Sequence, residues 1–280
     1  MRKILVTGAG GFVGARILDQ WRGRYKLCTF PHGFSADSDE AAVRALIARE
    51  KPDVIVHTAA LSNTAYCASH PEESLRANVL LPEWIAKAAA ETGAKLLAFS
   101  SDQVYAGCKR SGPLPETLSL SPANIYGCHK LEAEQRVLAI TPGAILLRAA
   151  WMYDFPGYRL PIRGNLPLNL LSAAKTGTAL HFSEHDFRGV SYVREVIDKL
   201  IPAMELPGGV YNFGSGNDCD MFETVSRFAQ FLGVEVPLEK DHWERNLAMS
   251  GEKLKAFGIQ FDSTIQAFQQ CLDDYGFGHF

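Results

Sequence analysis

The sequence predicts an α/β protein: a doubly wound parallel sheet followed by a small, mostly helical C-terminal lobe. Three observations predict it. Short β-rich runs alternate with helical stretches through the first 150 residues, and strands separated by whole helices pair in parallel through crossovers. The third, fourth and fifth runs are near-continuously apolar, as strands covered on both faces are. The first run breaks into glycines at residue 8, just before a helical pattern opens.

Each element has a local cause. Residues 3–6 are β-rich, and residues 12–21 carry apolar side chains at helical spacing. Residues 27–30 read as a second strand. Residues 37–50 read as a helix, with Asp37 and Glu40 at the spacing of a capping box. Residues 53–58 are a third strand. Residues 72–92 form a long helical pattern that Gly93 stops, and Pro82 inside it predicts a kink or a break. Residues 95–100 form the fourth strand, 125–140 a helix and 144–148 the fifth strand. Beyond residue 150 the pattern loosens. Residues 192–205 and 221–232 read as helices and 209–213 as a strand, with two short helices after residue 250. Residues 1–150 therefore form one unit, and 151–280 complete the sheet and build the lobe.

Composition narrows the function. The chain has 280 residues, 47% hydrophobic and 21% charged, which is globular and soluble. A net charge of −3 advertises no polyanion-binding surface and argues against a nucleic acid partner. No segment approaches the roughly 20 apolar residues of a membrane span. The six cysteines (Cys28, Cys67, Cys108, Cys128, Cys219 and Cys271) show neither CxxC nor metal-finger spacing. The expectation is a cytoplasmic protein with free thiols and no metal centre.

The glycine loop carries the first chemistry. In Thr7-Gly8-Ala9-Gly10-Gly11-Phe12-Val13-Gly14, three glycines are spaced GxxGxxG between strand and helix. That context suits a tight turn whose backbone N–H groups and helix N-terminus meet a pyrophosphate. No Gly-Lys-Ser/Thr follows, so it is not a P-loop. The architecture is thus of Rossmann type. The second strand ends in Thr29-Phe30-Pro31-His32-Gly33, with no acid before Asp37. An acid there would hold a ribose 2′-hydroxyl. Its absence favours NADP over NAD, and the loop residue His32 stands where it could approach a 2′-phosphate.

The second constellation is Tyr126-Gly127-Cys128-His129-Lys130, a YxxxK. On a helix its tyrosine and lysine share a face. An ammonium beside a phenol lowers the phenol pKa, so that it can exchange a proton with a carbonyl or alcohol oxygen. Ser100 and Ser101 follow the fourth strand, at the carboxyl edge where such sheets bind ligands. Tyr105-Ala106-Gly107-Cys108-Lys109 matches YxxxK as well, but it contains a glycine and lies in a loop. Tyr126 opens an apolar-periodic helix and is the expected acid.

These residues resemble the extended short-chain dehydrogenase/reductase family over nearly the whole chain. The resemblance rests on TGAGGFVG (7–14), PDVIVHTAA (52–60), FSSDQVYAG (99–107), YGCHK (126–130) and LRAAWMY (147–153). Within the family these signatures are most similar to those of the dTDP-4-dehydrorhamnose reductases, as is the tail at 245–260. The resemblance implies catalytic roles for Ser101, Tyr126, Lys130 and Asp102. It implies cofactor contacts from Gly8, Gly11, Phe12, Val13, Ala59, Ala60, Ser100, Tyr126 and Lys130, with Asn78 on a helix backing the site. On the substrate side it implies Ser62, Gln103, Trp151 and Arg188; Tyr153 is a further cleft candidate, and Arg163, like Arg188, a candidate diphosphate contact. The implied activity is NAD(P)H-dependent reduction of a keto group on a nucleotide-activated sugar. Residues 1–150 would hold the cofactor and the lobe the substrate.

Two departures shape that expectation. Related dehydratases carry Asp-Glu where this chain has Asp102-Gln103, and a glutamine amide cannot abstract a proton. The segment 187–191 departs from the subgroup's Gly-Ala-Pro-Thr. An epimerase and a cofactor-binding regulatory subunit are the alternatives, and a homodimer through helices 72–92 and 125–140 is compatible with their apolar faces. His57 is expected to be packed, and His181 and His185 to lie at the surface. Cys128 is expected to be a small buried filler, near enough to Tyr126 for a thiol reagent to block activity.

Overall fold

The apolar runs of the first half pair into one sheet. The computed structural model describes residues 1–31, 33–157 and 159–277; His32 lies outside the described residues. Along the chain come β1 (Lys3–Thr7), α1 (Phe12–Gln20), β2 (Lys26–Thr29), α2 (Phe34–Asp37), α3 (Glu40–Glu50) and β3 (Val54–His57). Then follow α4 (Thr64–Ser69), α5 (Pro71–Leu75), α6 (Leu81–Thr92), β4 (Lys95–Ser101), α7 (Ile125–Ile140) and β5 (Ile145–Ala149). The rest comprises β6 (Trp151–Tyr153), α8 (Leu166–Thr176), β7 (Leu180–Ser183), β8 (Asp186–Arg188), β9 (Val190–Tyr192) and α9 (Val193–Ala203). It ends with β10 (Gly209–Phe213), α10 (Met221–Phe231), β11 (Leu238–Asp241), β12 (Arg245–Leu247), α11 (Glu252–Lys255) and α12 (Thr264–Asp274).

Six strands pair in the order β2-β1-β3-β4-β5-β10, all parallel. The order changes direction between β1 and β3, the switch point outside which such sheets bind ligands. Strand alternation explains the continuous apolar runs. Ile4 and Val6 of β1 face Ile17 of α1, Trp21 just past its end, and Val196 and Leu200 of α9. Leu5 faces the other way, into Val43 and Ile47 of α3 and Ile85 of α6. The expected α/β class, doubly wound and parallel, is what the chain adopts. β10 comes from the second half of the chain and closes one edge beside β5. Short pairs (β6 with β9, β7 with β11, β8 with β12) stand apart from the sheet. Around them Tyr153, Phe155, Tyr192, Phe228 and Phe268 form a separate aromatic core.

Two helices differ from expectation. The predicted helix at 37–50 is divided: α2 ends at Asp37, Ser38 is extended, and α3 is capped by Asp39, whose carboxylate accepts from Ala42 N at 2.8 Å. Asp37 and Glu40 form no capping box. The predicted helix at 72–92 runs as α5, a π-turn at Arg76–Leu80, and α6, with Gly93 in the left-handed conformation at its end. Pro82 has no N–H to give the turn behind it, and it sits in the first turn of α6; the widened turn just before it absorbs the misfit. Among the described residues, no helix is long and apolar enough to cross a membrane.

Candidate functional site

One cleft of about 1180 Å³ runs along the carboxyl ends of β1, β3, β4 and β5. Gly8, Gly11, Phe12 and Val13 line it after β1, and Ala59, Ala60 and Ser62 after β3. Ser100, Ser101, Asp102 and Gln103 line it at the end of β4, Trp151 after β5, and Tyr126, Lys130 and Arg188 from α7 and β8. The structure thus brings these expected site residues into one groove, whereas Tyr153, the further cleft candidate, is buried in the aromatic core and is not on the cleft wall.

The glycine wall is set by backbone approach. Gly8 has φ +68°, and a Cβ on it would lie 2.8 Å from Ala59 N. A Cβ on Gly14 would lie 2.3 Å from the Gly8 carbonyl oxygen. Gly11 N–H donates to that oxygen at 2.8 Å and begins α1 with no side-chain cap, which leaves first-turn N–H groups for a ligand. The ends of β1 and β3 are tied by Thr7: its Oγ1 pairs with His57 Nδ1 at 2.7 Å and accepts from Thr58 N at 3.2 Å. His57 is buried, and burial holds its pKa down at about 3, so it is a neutral packed residue as expected. Asn78, on the π-turn, fixes the next loop by accepting from Leu61 N at 3.2 Å and donating to Leu61 O at 2.9 Å.

Tyr126 and Lys130 are both buried on α7. Asn124 caps that helix, accepting from Gly127 N at 2.8 Å and donating to Gln103 Oε1 at 3.1 Å. A Cβ on Gly127 would lie 2.3 Å from the Gln103 carbonyl oxygen, so the glycine inside YGxxK lets α7 start against the turn after β4. Tyr126 and Ser101 then line the same stretch of the cleft, and the Ser101 hydroxyl donates to Asp102 Oδ1 at 3.2 Å. Burial pushes the Tyr126 phenol well above its ordinary value; Ser101 pulls it back and the charge of Asp102 adds to the rise. Lys130 Nζ donates to the Phe99 carbonyl at 2.6 Å. Burial lowers its pKa to about 8, against the opposing charge of Glu134. The expected lowering of the phenol by Lys130 is therefore not what this arrangement shows, because the ammonium is held on a backbone carbonyl and burial dominates both groups.

Three further residues carry findings. Asp102 is buried and pairs with Arg188 Nη2 at 2.5 Å, with the guanidinium 5.3 Å above the Trp151 ring. Arg188, the expected substrate-side residue and candidate diphosphate contact, lines the cleft and is engaged with this carboxylate. Ser100, the expected cofactor contact, lines the cleft, and its hydroxyl donates to Glu134 Oε1 at 2.5 Å. Cys128 is exposed rather than buried, and it is not on the cleft wall. Two residues on from Tyr126, it projects from a different face of α7, which removes the reason to expect a thiol reagent there to block the site.

Sequence reasoning missed a buried network beneath the cleft. Glu134 receives Arg148 Nη2 at 2.7 Å and Nε at 3.0 Å. Arg148 Nη1 donates to Tyr105 OH at 2.8 Å, and that hydroxyl donates to Asn212 Oδ1 at 2.8 Å. The second YxxxK thus supplies a buried structural tyrosine, while its Lys109 is exposed. The available signals were the next helical step after Lys130 and a lone charge in an apolar strand. On the far wall Arg245 forms two hydrogen bonds to Asp186, at 2.8 and 2.6 Å, and stands 4.8 Å from the Trp243 ring. Arg163 donates to Ser62 Oγ at 2.8 Å. His181 and His185 are exposed, as expected, although His181 also borders the cleft. Among the described residues, Glu184, His185 and His242 bring ligand atoms within 4.8 Å of one another, but Lys240 Nζ stands 3.0 Å from the Glu184 carboxylate.

Comparison with known proteins agrees with this geometry. Residues 1–242 match the family described as the RmlD substrate binding domain. The chain is 28% identical to dTDP-4-dehydrorhamnose reductase of Aggregatibacter actinomycetemcomitans, over 78% of this chain and 75% of that protein. It is 37% identical to methionine adenosyltransferase 2 subunit beta of Xenopus laevis, over 54% of this chain and 47% of that one. The crystal structure of dTDP-4-dehydrorhamnose reductase from Bacillus anthracis str. Ames in complex with NADP superimposes with a TM-score of 0.87. It covers 98% of this chain and 99% of that one, at 19% identity.

Proposed function

Because the chain belongs to the RmlD substrate-binding-domain family, we propose that it is an NAD(P)H-dependent reductase of a keto group on a nucleotide-activated sugar, similar to dTDP-4-dehydrorhamnose reductase. The carrying observation is that buried Ser101 and Tyr126, with Lys130 one helical turn on, line one cleft together with the glycine loop. The residues present fit a dinucleotide: α1 starts uncapped, and glycines stand where any Cβ would fill the cradle. Gly8, Gly11, Phe12 and Val13 hold the pyrophosphate, Ala59 and Ala60 flank the ribose, and NADP is the favoured cofactor. A nicotinamide bound there supplies the hydride.

The chain's own groups do the rest. Tyr126 donates its phenolic proton to the substrate oxygen, and Ser101 hydrogen-bonds the same oxygen. A raised phenol pKa keeps that proton in place until the oxygen gains basicity. Lys130 supplies positive charge beneath the site and reaches the cofactor ribose. Asp102, held by Arg188, orients the sugar with Ser62, Gln103 and Trp151. The Gln103 amide cannot abstract a proton, which supports reduction over elimination. Residues 1–150 carry the cofactor and the lobe within 151–280 the substrate. The free cysteines suit a reducing cytoplasm.

Tyr126→Phe tests the assignment. Turnover, followed as NADPH oxidation with a 4-keto sugar nucleotide, should fall by about 10²- to 10⁴-fold. NADPH affinity, from fluorescence titration, should be nearly unchanged. Full turnover in this variant would refute the role of Tyr126. Similarity to a methionine adenosyltransferase subunit favours one other reading, a cofactor-binding regulatory subunit. Tight NADPH binding with no oxidation across a panel of 4-keto sugar nucleotides would establish that reading instead.

A further inference from the structure

We infer that Arg76, together with the Ser35 hydroxyl, forms a subsite for the 2′-phosphate of NADP and sets the preference for NADP over NAD. This rests on the dinucleotide reading above and deepens it.

The placement follows from the sheet. The glycine loop leaves β1, and the reacting hydroxyls of Ser101 and Tyr126 lie to one side of it, past β3 and β4. A dinucleotide whose pyrophosphate sits on the N-terminus of α1 then extends its other end over β2, the strand on the opposite side. That end of the cleft is lined by Phe30, Pro31 and Gly33 from the loop after β2, by Ser35 of α2, and by Arg76 from the π-turn before α6.

The chemistry of those groups selects the ligand. A carboxylate at the end of β2 would grip a 2′-hydroxyl and repel a phosphate. Residues 29–31 and 33–35 contain no acid. Asp37 is the first, and it is exposed and not on the cleft wall. Glu73 does border the cleft, where its carboxylate accepts the Tyr66 hydroxyl at 2.9 Å. Arg76 brings a permanent positive charge and a planar set of donors, which suits a phosphate better than a hydroxyl.

The guanidinium is also held in place. Its Nη2 donates to the Ser38 carbonyl, and its carbon stands 5.4 Å from the centre of the Trp84 ring. One of these contacts comes from the turn between α2 and α3 and another from α6, so segments on two sides hold the group. A pre-organised guanidinium loses little freedom on binding. The π-turn has a role here as well. It lets one short segment aim Asn78 at the Leu61 loop and present Arg76 to the cleft.

The test is equilibrium binding, which needs no sugar substrate. NADPH and NADH are titrated by fluorescence against the wild type, Arg76→Gln and Arg76→Lys, and 2′,5′-ADP is used as a competing probe. The wild type should bind NADPH at least about 10-fold more tightly than NADH. Arg76→Gln should weaken NADPH and 2′,5′-ADP by about 10- to 100-fold while NADH changes by no more than about 3-fold. Arg76→Lys should recover part of the loss. Retained NADH affinity shows that the variant has kept its fold, so a structural role alone would not give this split. Equal losses for both dinucleotides, or no loss for either, overturn the inference. A wild type that binds both dinucleotides equally overturns it and leaves the reductase reading standing. A wild type that binds neither overturns both.

Discussion

The two long walls of the cleft are held in different ways. The wall of β1, β3 and α1 is fixed by backbone contact, with Gly8 and Gly14 where a side chain would strike Ala59 or the Gly8 carbonyl. The opposite wall is fixed by buried carboxylates in ion pairs, one of which reaches across to Arg16 of α1. Arg16 and Asp154 pair at 2.6 Å, Arg188 and Asp102 at 2.5 Å, and Arg245 and Asp186 at 2.6 Å. Those partners stand 138, 86 and 59 positions apart. A chain built this way keeps the dinucleotide cradle rigid by sterics and clamps the substrate side with interactions that single substitutions can release.

The largest expected effect comes from releasing one clamp. Arg16 is on the helix that follows the glycine loop, and its carboxylate partner Asp154 lies just past β6. The guanidinium also donates to Phe12 O and Pro161 O, each at 2.8 Å, and lies 4.0 Å over the Phe12 ring. Asp154 in turn accepts from the Tyr275 hydroxyl at 2.8 Å. Arg16→Met leaves that carboxylate buried without its cation, which costs about 3–5 kcal/mol. Urea unfolding should show the loss as a lower midpoint. A change below about 1 kcal/mol would mean that the far wall does not depend on buried charge.

Next in size is a test of the steric wall. Gly14→Ala sets a methyl 2.3 Å from the Gly8 oxygen and 2.7 Å from its carbon. The helix must retreat, at a cost of about 1–3 kcal/mol. Dinucleotide affinity should fall by roughly 100-fold, because the first-turn N–H groups move with it. Gly10→Ala is the stability control, since a Cβ there meets no protein atom within 4 Å; it should leave stability nearly unchanged. Similar stability losses at both glycines would remove the steric explanation.

The same contrast explains what could be read from the chain. The sheet order follows from apolar runs and crossover helices, and the cradle from glycines at fixed spacing, all of them local patterns. Tyr126 and Lys130 were legible because four residues on a helix place them on one face. Asp102 with Arg188 was not, because each is an ordinary charge until the fold joins β4 to β8. Nor was the division near Ser38 legible. Asp37 and Glu40 satisfied the capping pattern, and only the extended Ser38 between them gave the cap to Asp39. Ser100 was assigned from its position after β4, and Glu134, on another element, decided where its hydroxyl points.

The smallest effect tests the floor of the cleft, where the two kinds of wall meet. Lys130 is held on the Phe99 backbone carbonyl, yet the buried carboxylate of Glu134 lies one turn further along α7 and holds up the lysine's charge. With the Lys130 pKa near 8, the ammonium beneath Tyr126 is lost as pH rises through that value. Turnover should therefore show a basic limb near pH 8. The stability sign is opposite. The folded pKa lies below the unfolded value of about 10.4, so between those values the unfolded chain binds more protons and stability rises with pH. Glu134→Gln removes the charge that opposes burial, and the basic limb should move down by about one unit. Loss of the Arg148 partner lowers overall stability without moving a pH limb, so the profile separates the two effects. A limb that stays near 8 in Glu134→Gln would show that burial and the Phe99 carbonyl alone set the lysine's charge, and that the floor, like the glycine wall, owes nothing to buried ions.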